Sequence, residues 1–145
     1  GNTPLTIATY QNNLYLVKYL IKNGAKIDHK DYNGNTAIFI AYYHKKYEIF
    51  KYLFHQGANI YLTERYGNIY SEKYLLNIAC KENNELIVTY LIDHGVDINK
   101  SDIKGETPLI ISCRKLNTFL AKYLIDHGAN INKKNKKGNT PLITA

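Results

Sequence analysis

The octet GNTPLTIA at residues 1–8 returns as GNTAIFIA at Gly34, as GETPLIIS at Gly105 and as GNTPLITA at Gly138. The steps from Gly1 to Gly34, from Gly34 to Gly67 and from Gly105 to Gly138 are each 33 residues; the step from Gly67 to Gly105 is 38. A second glycine series runs in phase: NGAKID at Gly24, QGANIY at Gly57, HGVDIN at Gly95 and HGANIN at Gly128. A period of this length constrains the chain more tightly than its composition does. Each period is one small unit that cannot bury its own apolar face and must stack on its neighbours.

The physics of one unit is legible. Thr3-Pro4, Thr107-Pro108 and Thr140-Pro141 read as helix starts, with a hydroxyl to cap open N–H groups and proline where its missing N–H costs nothing. A short helix follows. After a polar break at Asn12 and Asn13, Leu14, Val17, Leu20 and Ile21 keep helical spacing, and Gly24 ends the second helix. The turns DYNG, ERYG, DIKG and NKKG then lead to the next unit. Each unit is thus a helix, a turn, a helix and an extended, hairpin-like finger.

These starts, TPLTIA, TPLIIS and TPLITA on a 33-residue period, resemble the ankyrin repeat family, marked by a T-P-L-H-x-A helix start. The resemblance covers the whole chain, as four complete repeats (about 1–33, 34–66, 67–104 and 105–137) and the start of a fifth at 138–145. It implies an all-α solenoid forming a single domain, its helix-turn-helix units joined by β-hairpin-like fingers into a curved, L-shaped array.

Two departures stand out. The third unit is five residues longer, with the extra chain near Ile69–Lys73, and Tyr74-Leu75 replace Thr-Pro. A surface insertion costs little stability, so a tolerated loop is expected there. Glu85 and Leu86 are also swapped against the usual apolar-then-polar order. The second departure is that Leu5, Ile7, Leu142 and Ile143 look like internal-repeat residues rather than polar caps, so the array is expected to continue in both directions. End-to-end association of the otherwise monomeric chain is a related expectation.

Little in the chain points to catalysis. Cys80 and Cys113 occupy equivalent positions in adjacent units. Stacked helices lie about 8–10 Å apart, too far for an unstrained disulfide, so free buried thiols are expected. His94 and His127 precede the glycines that end helices and suit the negative end of the helix dipole. Zinc, phosphate-loop and nucleophile-elbow motifs do not occur. No cofactor, metal or catalytic residue is expected. No stretch reaches the about 18 apolar residues of a membrane helix, and an intracellular, cytoplasmic or nuclear, setting is expected.

The formal net charge is +7, and Lys, Asn, Ile and Tyr are abundant. An A/T-rich coding bias gives the same skew, so the charge permits an acidic partner without demanding one. Nucleic acid is disfavoured, because the basic finger NKKNKKGN lacks interleaved aromatics. Tyr19, Tyr52, Tyr90 and Tyr123 share one position on the second helix and are expected to pack.

The resemblance implies a non-catalytic module binding another protein on its concave face, through finger tips and first helices. The matching finger positions are Tyr32, Asn33, Asn35, Arg65, Tyr66, Asn68, Ile103, Lys104 and Glu106; those on first helices are Tyr42, Tyr43, Lys81, Arg114 and Lys115. Alternatives are a substrate-targeting segment of a larger enzyme or ligase adaptor, a nucleic-acid surface on the lysine-rich fingers, and a spacer with no partner. LIDHGVDIN, ending at Asn99, resembles the context in which ankyrin repeats are hydroxylated, and makes Asn99 a candidate modification site.

Overall fold

The computed structural model describes residues 1–66 and 69–145, and the side chains outside 62–73. The chain forms two compact units, Gly1–Leu62 and Thr63–Ala145. The first contains α1 (Pro4–Tyr10), α2 (Leu14–Lys22), α3 (Ala37–Tyr43) and α4 (Tyr47–His55). A strand pair follows, β1 (Tyr61–Tyr66) and β2 (Ile69–Tyr74). The second unit continues with α5 (Leu75–Lys81), α6 (Glu85–Asp93), α7 (Pro108–Arg114), α8 (Thr118–Asp126) and the short α9 (Pro141–Thr144).

Like stacks on like within each unit. First helices pack on first helices, α1 on α3 in one unit and α5 on α7 on α9 in the other. Second helices do the same, α2 on α4 and α6 on α8. The apolar stripes meet in these stacks. Ile38, Ile40, Ile49, Phe50 and Leu53 are buried in the first unit, and Leu76, Ile87, Leu91, Leu109, Ile111 and Leu124 in the second. Each such side chain contributes about 1.5–3 kcal/mol by leaving water.

The helix starts follow the sequence closely, with instructive exceptions. Thr3 Oγ1 accepts from Thr6 N at 3.1 Å and Thr107 Oγ1 from Ile110 N at 3.2 Å. Thr36 and Thr140 take the same extended backbone at their helix starts without such a bond. Tyr74 caps α5 with extended backbone alone, and its hydroxyl instead donates to Asp97 O at 3.1 Å, tying the helix start to the next finger. At the second helices, Asn13, Asn84 and Asn117 accept from the backbone N–H of Leu16, Ile87 and Leu120.

Several expectations change. The extra residues of the third unit do not form a plain loop; they build β2, which pairs with β1. The tyrosines shared by the second helices are not core residues. Tyr19 is 55% exposed. Tyr90 and Tyr123 lie half-buried over the imidazoles of His94 and His127, with ring centroids 4.2 and 4.1 Å apart, where those histidines cap their helices. Leu86 is 51% exposed while Glu85 accepts from Asn117 Nδ2 at 3.1 Å, so the swap moves the polar residue toward a partner. Leu142 and Ile143 stand exposed and Leu5 is buried. Among the described residues no helix is long and apolar enough to cross a membrane.

Candidate functional site

Three finger turns, at Asp31, Asp102 and Asn135, are built the same way. Asp31 N donates to Asn35 O at 2.8 Å, Gly34 N donates to Asp31 O at 3.0 Å, and Asp31 Oδ1 accepts from the N–H groups of Asn33 and Asn35, both at 2.9 Å. Asp102 repeats the scheme with Lys104 and Glu106 at 2.9 and 3.0 Å, and Asn135 repeats it with Lys137 and Asn139 at the same distances. A short side chain that folds back on its own backbone fixes the turn without tertiary help. The residue after it is thereby pushed outward. Tyr32 is 74% exposed and Ile103 is 51% exposed at this position.

Neighbouring fingers are stitched together inside each unit. Asp28 Oδ1 accepts from Asn59 N at 2.8 Å in the first unit. Asn99 Oδ1 accepts from Asn130 N at the same distance in the second, where Lys133 Nζ also donates to Asn99 O at 2.7 Å. Asn99 is therefore a structural strut, half-buried, as well as the residue in the hydroxylation-like context.

The ends of the first helices reach these turns. Tyr10 Oη donates to Asp31 Oδ2 at 3.3 Å, and Lys81 Nζ pairs with Asp102 Oδ2 at 2.8 Å. Both pairs are 21 residues apart and occupy the same place in their units. Burial pushes the Tyr10 hydroxyl above its ordinary value, and the Asp31 carboxylate adds to the shift. Arg114, next in this series, pairs with the buried Glu106. The position is aromatic in the first unit, Tyr10 and Tyr43, and cationic in the second, Lys81 and Arg114.

The candidate residues fall into three groups. Tyr32, Asn33, Tyr43, Lys81, Ile103, Lys104, Arg114 and Lys115 are exposed, and Asn35 is half-buried on its turn. Arg65 and Tyr66 lie on β1 with side chains outside the described residues, as Asn68 is altogether. Tyr42 and Glu106 depart from the expected exposure. Consecutive helical residues point about 100° apart, so Tyr42 and Tyr43 meet different surroundings. Tyr42 is 2% exposed, its ring 6.5 Å from Phe50, while Tyr43 is 44% exposed. Glu106 is buried, its carbonyl held by Asn77 Nδ2 at 2.9 Å and its carboxylate paired with Arg114, which offsets the cost of burying the charge. Tyr10, Asp31 and Asp102 escaped the sequence reading, although the shared 21-residue spacing was available to find them.

The Asp102 carboxyl has a testable acid dependence. Burial alone raises its pKa, but the hydrogen bonds and charge of Lys81, with the turn N–H groups, hold it below the ordinary value. Its stabilisation is therefore complete above about pH 4, the unfolded value, and is lost as pH falls through the lower folded value. Asp102→Asn keeps the turn, as Asn135 does naturally, and removes the pairing. We expect a loss of about 0.5–1 kcal/mol at pH 7, small because Lys81 is half in solvent. Below the folded pKa the variant and the native chain should converge in urea midpoint; a gap that is constant with pH contradicts the assignment.

The two thiols, Cys80 and Cys113, are not activated as nucleophiles. The buried Cys80 thiol is pushed up to about 12 by burial, which outweighs its hydrogen bond with Ser112. Cys113 is half-buried rather than fully buried, and burial raises it too. Both remain protonated at neutral pH and are poor nucleophiles. An open hollow of about 300 Å³ beside α9 is lined by Leu109, Ile125, Ile131 and Leu142, with no acid–base pair. Among the described residues no His, Cys, Asp and Glu gather as a metal site.

The profile for ankyrin repeats (three copies) matches residues 1–64 and 76–145. The chain belongs to the ankyrin repeat family. The match breaks where β1 ends and β2 runs, so the enlarged finger is what this ankyrin chain adds to the common pattern. Ankyrin repeats are generally protein–protein interaction modules without catalytic activity of their own. A comparison with curated proteins found no match.

Proposed function

We propose that this ankyrin segment binds a partner protein through the finger tips and first-helix ends of its units. The observation that supports it is the pair Tyr32 and Ile103. Both are large apolar side chains held in solvent on turns whose backbone hydrogen bonds are already made. Such groups lose little conformational freedom on binding, and aromatic side chains are preferred interface anchors. Tyr43 adds a second exposed ring in the first unit, beside the buried Tyr42.

The role is binding, and no reaction step is assigned to residues 1–145. A targeting segment of a larger enzyme or adaptor would use the same surface. Asn99 is proposed as a modification site on the strength of its sequence context alone; the strut it forms with Asn130 is the contact such a modification would sit beside. The test is capture from nuclease-treated lysate of the source organism, with the native segment and a Tyr32→Ala, Tyr43→Ala, Ile103→Ala variant as baits. A protein retained by the native bait and lost by the folded variant supports the reading. Equal retention by both places the site elsewhere.

A further inference from the structure

The two adjoining fingers of the second unit carry far more positive charge than they neutralise. Between Asp97 and Glu106, and between Asn130 and Asn139, they hold six lysines against three carboxylates. Lys81 and Arg114 reach in from the first helices and engage two of those carboxylates, Asp102 and Glu106. Asp97 is the third, and its Oδ1 is turned to the N–H of Asn99. Counting Lys81 and Arg114, the surface has an excess of five positive charges.

The backbones that carry these charges are held together. Lys136 N donates to Lys104 O at 3.1 Å, so the two finger tips run side by side. At Gly105 an added Cβ would lie 2.8 Å from Lys136 N, which shows how closely the backbones approach. Lys133 is tied to Asn99 O. Lys104, Lys134, Lys136 and Lys137 are all exposed and meet no carboxylate among the described residues. Like charges gathered on a rigid surface repel one another, and an anionic ligand relieves that repulsion.

We infer that the third and fourth fingers dock an acidic protein segment, its carboxylates facing Lys104, Lys136 and Lys137 and an apolar residue set against Ile103. The inference deepens the protein-binding reading and rests on it. Charge complementarity alone would also suit a nucleic acid. The fingers argue against that, because neither Gly95–Thr107 nor Gly128–Thr140 contains an aromatic residue on which a base could stack. The exposed apolar side chain at the tip is Ile103, which suits a leucine-like partner better than a sugar-phosphate chain.

The test is fluorescence anisotropy with the 145-residue chain. One probe is a short labelled peptide rich in Asp and Glu with a central leucine and no phosphate; the other is single-stranded oligouridylate of equal formal charge. A Lys104→Gln, Lys136→Gln, Lys137→Gln variant is compared with a Lys22→Gln, Lys45→Gln, Lys122→Gln variant, which has the same net charge. Thermal melts by circular dichroism check that both fold. At about 0.15 M salt, where charges beyond about 8 Å are screened, the finger variant should bind the peptide about tenfold more weakly. The other variant should change by less than about twofold. Equal weakening by both variants, or no peptide binding, overturns the inference. Tighter binding of the oligonucleotide than of the peptide also overturns it, in favour of a nucleic-acid surface. If the peptide fails while lysate capture still depends on Tyr32 and Tyr43, the acidic assignment falls and the protein-binding reading stands.

Discussion

Phe50→Ala is expected to cost about 3–5 kcal/mol. Phe50 is fully buried on α4. Its ring meets Tyr42 of α3 at 6.5 Å and stacks against Phe54 at 6.4 Å. Truncation removes the transfer energy of a phenyl ring and leaves a hollow between two helices that are each held by their own hydrogen bonds. The helices cannot close it without shifting their shared stack. A domain of this size has about 5–15 kcal/mol in total, so the loss takes a large part of it. Urea unfolding followed by circular dichroism reads the effect directly. A loss below about 1 kcal/mol would mean that Phe50 is not part of a close-packed core.

The second large effect concerns the fingers. Gly105 and Gly138 occupy the same turn position, with φ of +75° and +81°. Alanine at either must adopt a left-handed conformation, at about 1–2 kcal/mol. At Gly138 nothing lies within 4 Å of the added methyl, so the cost ends there. At Gly105 the methyl would press on the backbone of Asn135 and Lys136, which cannot swing aside as a side chain can. Overpacking of this kind adds about 1–3 kcal/mol. Gly105→Ala should therefore lose about 2–5 kcal/mol and Gly138→Ala only about 1–2 kcal/mol. Equal losses in paired urea titrations would show that the fingers do not pack as closely as described.

Much of this architecture was legible in the chain because it depends on local, repeated choices. The Thr-Pro starts, the asparagines opening the second helices and the glycines closing them act within a few residues, and the period multiplies each signal. What could not be read depended on rotation and on contacts across units of the repeat. Tyr42 and Tyr43 look interchangeable as letters, yet the helix turns one onto Phe50 and the other into solvent. Glu106 looked like an exposed acid, but it is buried just before α7, where its carboxylate pairs with Arg114 from the end of that helix. The insertion in the third unit is preceded by Gly67-Asn68, a pair that signals a hairpin when strand-like runs flank it; reading the extra residues as a loop passed over that signal, and they build β2 against β1. Tyr10 and Asp31 were missed for another reason: a hydrogen bond 21 residues long is visible only when two units are laid over each other.

The central claim is that binding belongs to the finger and first-helix surface rather than to the second helices. The measurement that tests it most directly is lysate capture with three baits side by side: the native segment, the Tyr32→Ala, Tyr43→Ala, Ile103→Ala variant, and a variant with Tyr15→Ala, Tyr19→Ala and Leu86→Ala on the second helices, where those side chains are equally exposed. The account predicts a protein held by the native and second-helix baits and lost from the first variant. A protein lost from the second-helix variant and kept by the finger variant would contradict it.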